Sequence, residues 1–457
     1  MNRAPGPEEW GLQIVPGGGI SMGNHSLAGL ARTYGTPLHV VNECRLMKNA
    51  EAFRDAVARY CPGKASVHYA MKCNAVPAVV DALLRTGIGL EVMTEFELFL
   101  ALKLGCAPEH IIVNGPCKTA GFLDACIDAR VRFIIVDSLQ ELRLLDARSR
   151  SRGVSTDILL RVNPDYVPRG MNRGTATGTR RGCAFGLDLK GGEVREGLAL
   201  CRHLGGIRFR GFHMHIGTGI RSPGDYTRAL RSLDVLKRSA GEAGQHISVL
   251  DIGGGFASPG TRELRTGEFL RYQALGRLPE ARARGSCGTA GEFAAAVARG
   301  VGARFPAGSL PEILFEPGRS IASPAQLLLL TICYVKERAG AGRWLVADGG
   351  LSTVTLPTFY EYHEVFLCND GRRPRTGRAT IVGPACFAGD VIYRNKPMPE
   401  VRPGEVIAVM DSGAYFTALE SSFGFPRPAI VAVNGATCKI VRSRETFDEM
   451  RGRDIID

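Results

Sequence analysis

The chain has 457 residues, 45% of them hydrophobic and 22% charged, which is too long for one ordinary domain and apolar enough to bury real cores. No apolar run reaches the length of a membrane span (the longest is "AQLLLLTICYV" at 325–335), and "MNRAPGPEEWGL" lacks the apolar core of a signal peptide. The formal net charge of +12 is spread along the chain with no helix-turn-helix, RNP or zinc-finger pattern, so it favours solubility and attraction of acidic small molecules over nucleic-acid binding.

The first 45 residues carry one strand-like stretch, "TPLHVVNECRL". Eight short apolar runs follow: "VHYAMK" 67–72, "GLEVM" 89–93, "IIVNG" 111–115, "FIIVD" 133–137, "ILLRVN" 158–163, "GFHMHI" 211–216, "SVLDIG" 248–253 and "EILFEPG" 312–318. The first four start 22 residues apart, with helical patterns such as "VPAVVDALLRTG" and "EFELFLALKLG" between them. Near-continuous apolar strands alternating with helices predict parallel strands joined by crossover helices, and eight such units predict a (β/α)8 barrel. After about 325 the pattern changes to strands without helices: "RWLVADGG", "RATIVGPAC", "EVIAVMD" and "AIVAVNGATCKIVR". The expected division is an N-terminal segment 1–45 joining a β domain, a barrel over 46–325, and a C-terminal β domain, sandwich or barrel, over 326–457. Two basic stretches, 168–182 and 262–285, read as loops.

Barrel chemistry sits at the C-terminal ends of the strands. Those ends carry Lys72, Glu91, Asn114, Asp137, Arg161, His215, the Gly253–Gly255 run and Glu316. A glycine run after a strand lets backbone N–H groups face a phosphate, although taken alone it is more often a tight turn. "FEPGRSI" sets Glu316, Gly318 and Arg319 after the last strand, where barrel phosphate sites commonly lie; a surface salt bridge is the plainer explanation for that motif by itself. Lys72 is a candidate Schiff-base lysine and His215 a candidate ring-stacking imidazole. Phosphate donors, an acceptor for a ring nitrogen, an imidazole and a lysine together describe pyridoxal 5'-phosphate. Thirteen cysteines without a C-x-x-C pair argue against a zinc site or a disulfide framework and suggest a reducing cytosol, so no metal is expected.

With these motifs the chain resembles the fold-type III pyridoxal-phosphate decarboxylases, the group of the ornithine, arginine and diaminopimelate enzymes. The resemblance runs from roughly 35 to 430 and rests on six motifs in order: "YAMKCN", "HIGTG", "DIGGGF", "EPGRS", "GPACFAGD" and "DSGAY". It implies that Lys72 binds the cofactor aldehyde and that His215 stacks on the ring. It implies that Glu316 holds the pyridine nitrogen protonated. Thr218, Gly253, Gly254, Gly255, Gly318, Arg319 and Tyr415 are then expected around the phosphate. It further implies a cytoplasmic head-to-tail homodimer in which Cys386 of one subunit acts as general acid in the other's site, and no membrane or nucleic-acid partner.

The chain also departs from the pattern. Phe387 follows the cysteine, where the ornithine and diaminopimelate enzymes place an acidic residue that reads a distal ammonium. Leu356 stands where a substrate-binding arginine is expected, while Tyr360 is kept. Ala184 replaces the usual K-F-G lysine. An uncharged ring cannot pair with an ammonium, and burying that ammonium unpaired is costly. The expected substrate is therefore a non-standard amino acid of a specialised pathway such as siderophore or antibiotic synthesis. It would be acidic, conjugated or carrier-bound, with Phe387, Asp390, Leu356 and Tyr360 near it and Arg180 and Arg181 reading added carboxylates or a carrier's phosphopantetheine. A solvated loop is the plainer role for those arginines. The alternatives are meso-diaminopimelate decarboxylation in lysine biosynthesis, an amino-acid racemase on the related barrel, and a non-catalytic relative acting in regulation.

Overall fold

The structure is a computed structural model that describes residues 5–61, 63–171, 176–276, 278, 287–354 and 361–455. The chain forms two compact units. One comprises Asn49–Ala257 and Cys287–Arg319; the other comprises the described residues of Met1–Lys48, Ser258–Ser286 and Ser320–Asp457.

The first unit is the eight-stranded parallel barrel. Its strands are Ala65–Ala70, Gly89–Val92, Ile111–Val113, Phe133–Val136, Thr156–Asn163, Ile207–His213, Val249–Asp251 and Glu312–Phe315. Each pairs in parallel with the next, and the last returns to the first, with Ile313 opposite Ala65. All eight runs read from the sequence are strands. Their alternate side chains fill the barrel interior, where Ile112, Phe133, Ile135, Leu159, Val249 and Leu314 form one buried layer. The sixth strand approaches the seventh so closely that a Cβ on Gly211 would lie 1.8 Å from the Val249 carbonyl oxygen. Only glycine fits there.

The second unit is β-rich. Gln326–Arg338 is its longest strand and runs antiparallel to Gly342–Ala347, Val406–Val409 and Leu38–Asn42. Leu38–Asn42 therefore sits inside the sheet, flanked on its other side by the parallel strand Ala429–Asn434. Along the long strand the period of two is plain. Leu328, Leu330 and Ile332 enter one buried cluster, while Leu327 and Leu329 enter another. A buried side chain of this kind contributes about 1.5–3 kcal/mol relative to exposure, so the alternation fixes the register.

The basic stretch 262–285, expected as a loop, is not one throughout. Arg262–Glu263 pairs with Glu361–Tyr362, and Thr266–Leu275 is a helix. Its first turn closes when the Arg265 N–H donates to Glu268 Oε2 at 2.9 Å. Buried Tyr272 accepts the Arg394 N–H at 2.8 Å and docks the helix on the β unit.

Candidate active site

The C-terminal mouth of the barrel gathers the polar strand ends. Lys72 follows the first strand in a short 3-10 turn, Met71–Cys73, and donates to Glu91 Oε2 at 2.7 Å. Glu91 is fully buried; burial raises its pKa and Lys72 pulls it back. Glu316 follows the eighth strand and is also buried. Its Oε1 accepts from Asn114 Nδ2 at 3.4 Å and its Oε2 lies 3.5 Å from His213 Nε2. Asn114 Nδ2 also faces His213 Nε2 at 3.2 Å, and Asn114 Oδ1 accepts from Arg161 at 3.3 Å. Arg161 in turn covers the Phe185 ring at 4.4 Å and lies 3.6 Å from Asp137. Desolvation raises Glu316, while Lys72 and Arg161 draw it down. His213 and His215 both fall well below the ordinary imidazole range because burial and the neighbouring cations disfavour the charged ring.

The glycine turn is held by aromatic packing. Phe256 stacks on Tyr226 with centroids 5.0 Å apart and meets Phe53 and Phe293 edge-on. The Tyr226 hydroxyl donates to the Gly254 carbonyl at 2.7 Å. Gly253 and Gly255 have φ of 67° and 94°, and a Cβ on Gly254 would lie 2.2 Å from the Glu316 carbonyl oxygen. The turn therefore brings bare backbone against the end of the eighth strand. Two of its three expected phosphate donors are otherwise engaged: the Gly253 N–H donates to Asp251 Oδ1 at 2.8 Å and the Gly254 N–H to His215 Nδ1 at 3.1 Å. The latter bond fixes the His215 ring. Thr218 lies three residues further along and is half-buried, while Gly318 and Arg319 are buried after the eighth strand.

These residues fit pyridoxal 5'-phosphate. A partly exposed lysine, a buried carboxylate, an oriented imidazole and a side-chain-free turn share one barrel mouth. Buried polar atoms remain without protein partners there, Glu91 Oε1 and His213 Nδ1 among them. His213 and Asp251 were not among the site residues expected from the sequence. The available signal for His213 was its place in "GFHMHI", where it is the last residue of the sixth strand, two before His215.

The Thr177 hydroxyl donates to the His215 carbonyl at 3.0 Å, which brings that part of the basic stretch to the mouth. Arg180 pairs with Asp188 at 2.6 Å on the surface. Arg181 is exposed and lines a polar cavity of about 640 Å³ with Arg180, Asp165 and Lys190.

In the β unit, residues 383–390 form a tight loop. Cys386 is exposed, and Phe387 is 52% exposed with its ring 6.4 Å from that of Phe423. Asp390, expected near the substrate, is buried. Its carboxylate accepts the Leu351 N–H at 2.6 Å and the Ala385 N–H at 2.8 Å, which makes it the clasp of the loop. Tyr415 has φ of 69° at the start of a short helical turn, Phe416–Leu419. Leu356 and Tyr360 lie outside the described residues.

Residues 44–323 match the family model described as the pyridoxal binding domain of pyridoxal-dependent decarboxylases. The chain is 31% identical over 446 residues to the diaminopimelate decarboxylase of Actinosynnema pretiosum, covering 96% of this chain and 93% of that one. It is 30% identical over 425 residues to the diaminopimelate decarboxylase of Aquifex aeolicus, covering 93% and 92%. Among solved structures, diaminopimelate decarboxylase from M. jannaschii in complex with L-lysine superposes with a TM-score of 0.86 at 25% identity, covering 98% of both chains. Among the described residues, no helix is long and apolar enough to cross a membrane.

Proposed function

This chain belongs to the pyridoxal-dependent decarboxylases, and from that premise we propose that its substrate is meso-diaminopimelate, whose α-carboxylate leaves as CO2 and is replaced by a proton to give lysine. The observation that carries this reading is the similarity to enzymes of that name over nearly the whole chain, 96% of it in one relative. The racemase and non-catalytic readings do not survive the family membership.

Pyridoxal 5'-phosphate supplies an electron sink for the pair released when the carboxylate departs. Lys72 is the amine that anchors it. Glu316 holds a proton on the ring nitrogen, and the dry, low-dielectric setting makes that charge contact strong. His215, fixed by the Gly254 N–H, would cover a face of the ring. Gly255, Thr218, Gly318, Arg319 and Tyr415 receive the phosphate, with Gly253 and Gly254 shaping the turn. Cys386 donates the proton that replaces the carboxylate. The proposed assembly is a head-to-tail homodimer in which Cys386 serves the partner's barrel.

The test is a substrate panel with the purified holoenzyme, reading CO2 release and product amine. Diaminopimelate should be turned over with kcat/KM at least about 100-fold above ornithine or arginine, because both lack its distal carboxylate and a site built to bind that group rejects analogues without it. One observation favours a second reading. Exposed Phe387, beside Phe423, offers aromatic surface where a distal ammonium would want a carboxylate. If diaminopimelate is refused, the substrate is an amino acid with an acidic, conjugated or carrier-bound distal end, and the same panel extended to such compounds identifies it.

A further inference from the structure

His213, Asp251 and Glu316 bring one polar atom each within 4.8 Å of one another, and all three are buried. The cluster draws on three barrel strands: His213 ends the sixth, Asp251 the seventh, and Glu316 follows the eighth. Two ionised carboxylates this close repel, and each is an acceptor only, so a proton on one removes the repulsion and gives the pair a donor. A metal ion would resolve the repulsion differently. However, Asn114 Nδ2 points an N–H at His213 Nε2 and at Glu316 Oε1, so the imidazole lone pair facing the cluster is already engaged.

The surroundings decide which carboxyl holds the proton. Glu316 has Asn114 as donor and Lys72 and Arg161 as cationic neighbours. The Asp251 carboxylate accepts the Gly253 N–H on Oδ1; its Oδ2 is buried with no donor among the described residues and has Glu316 and Glu91 as negative neighbours. Burial and those two carboxylates drive Asp251 well above the carboxylate range. His213 is neutral, since burial and the cations Arg161, Lys72 and Lys118 lower it more than Glu91 raises it. Counting Asp137, four buried carboxyls share this end of the barrel with three cations, Lys72, Arg161 and Lys118.

We propose that Asp251 carries a proton and donates it to Glu316, acting as a positioning residue that keeps Glu316 ionised and aimed at the cofactor's ring nitrogen; this rests on the assignment of Glu316 to that nitrogen. The buried carboxyl pair divides its labour as paired carboxyls do elsewhere, one acid and one base. Asp251 touches no reacting atom. It acts through Glu316 by the direction and strength of one charge-assisted hydrogen bond.

Infrared difference spectroscopy of the holoenzyme between pH 7 and 8 reads the proton directly. A carboxylic-acid carbonyl stretch should be present in the wild type and absent in Asp251→Asn. Asn is neutral and still donates, so D251N should keep the wild-type cofactor absorbance. Asp251→Ala removes the donor and should weaken cofactor affinity about 10- to 100-fold. The proposal is overturned if the acid band is missing, if it survives in D251N, or if D251N disturbs the cofactor as much as D251A. One equivalent of bound metal by elemental analysis also overturns it. Should D251A fail to fold, the band and the D251N spectrum still decide. The Glu316 assignment is judged separately: a cofactor spectrum unchanged in Glu316→Gln overturns that assignment and leaves the band to judge Asp251.

Discussion

Lys72 and Glu91 meet at 2.7 Å across two neighbouring barrel strands. The register that places Ala70 beside Glu91 sets the carboxylate near the turn carrying the lysine. Glu91 is fully buried, whereas the Lys72 side chain is 30% exposed. A buried carboxylate thus aims an accessible amine into the mouth, and that asymmetry suits a lysine that must exchange partners.

Replacing Lys72 with alanine should abolish both the absorbance of covalently bound cofactor and CO2 release. Lys72→Arg should do the same, because the guanidinium keeps the ion pair with Glu91 and is no nucleophile. Absorbance scans of the purified variants, with a CO2-trapping assay, check this. Full turnover in either variant would remove Lys72 from the mechanism.

Glu316→Gln should retain bound cofactor and lose about 10²- to 10³-fold in kcat, the scale for removing one preorganised charge contact from a dry site. The measurement is steady-state kinetics at saturating substrate with cofactor occupancy determined in parallel. A loss confined to KM would contradict the assignment.

Cys386→Ala should lower kcat about 10²-fold or more and leave the cofactor spectrum unchanged. Mixing Lys72→Ala with Cys386→Ala chains should restore part of the activity if barrel and loop come from different subunits, because mixed dimers then contain one intact site. Absence of any recovery, with mixed dimers present by mass spectrometry, would place both residues in one chain's site.

The β unit buries a lysine with a pH signature. Lys396 is fully buried, donates to the His363 carbonyl at 2.9 Å, and sits 3.9 Å from the Tyr362 ring centroid and 3.7 Å from Glu364. Desolvation outweighs Glu364 and lowers its pKa to about 8. The unfolded chain binds this proton up to the ordinary lysine range, so between pH 8 and about 10.5 it holds more protons than the folded one. Stability from this group therefore rises with pH across that window, by about 3 kcal/mol in all. Lys396→Met should abolish the rise, and since Glu364 keeps Arg375 at 3.0 Å, the variant should still fold. Urea melts of both proteins at pH 7, 8, 9 and 10 give the difference; parallel curves would refute it.

The sequence by itself determined the barrel, the change to a β-rich C-terminal part and the residues of the cofactor motifs. Strand periodicity and glycine placement are local, and local patterns survive in a linear reading. The motif order carried Lys72, His215, Glu316 and Cys386 together. Only the tertiary structure decided the rest. Barrel closure brought Asn114, His213, Asp251 and Glu316 into one buried cluster, although as many as 202 positions separate two of them in contact. Packing turned Asp390 inward onto its own loop, paired Arg180 with Asp188, and made a helix of Thr266–Leu275. It also set Leu38–Asn42 inside the sheet of a distant part of the chain. The proton on a buried acid depends on which other charges lie beside it. That is fixed by distances in space, which the order of residues along the chain does not give.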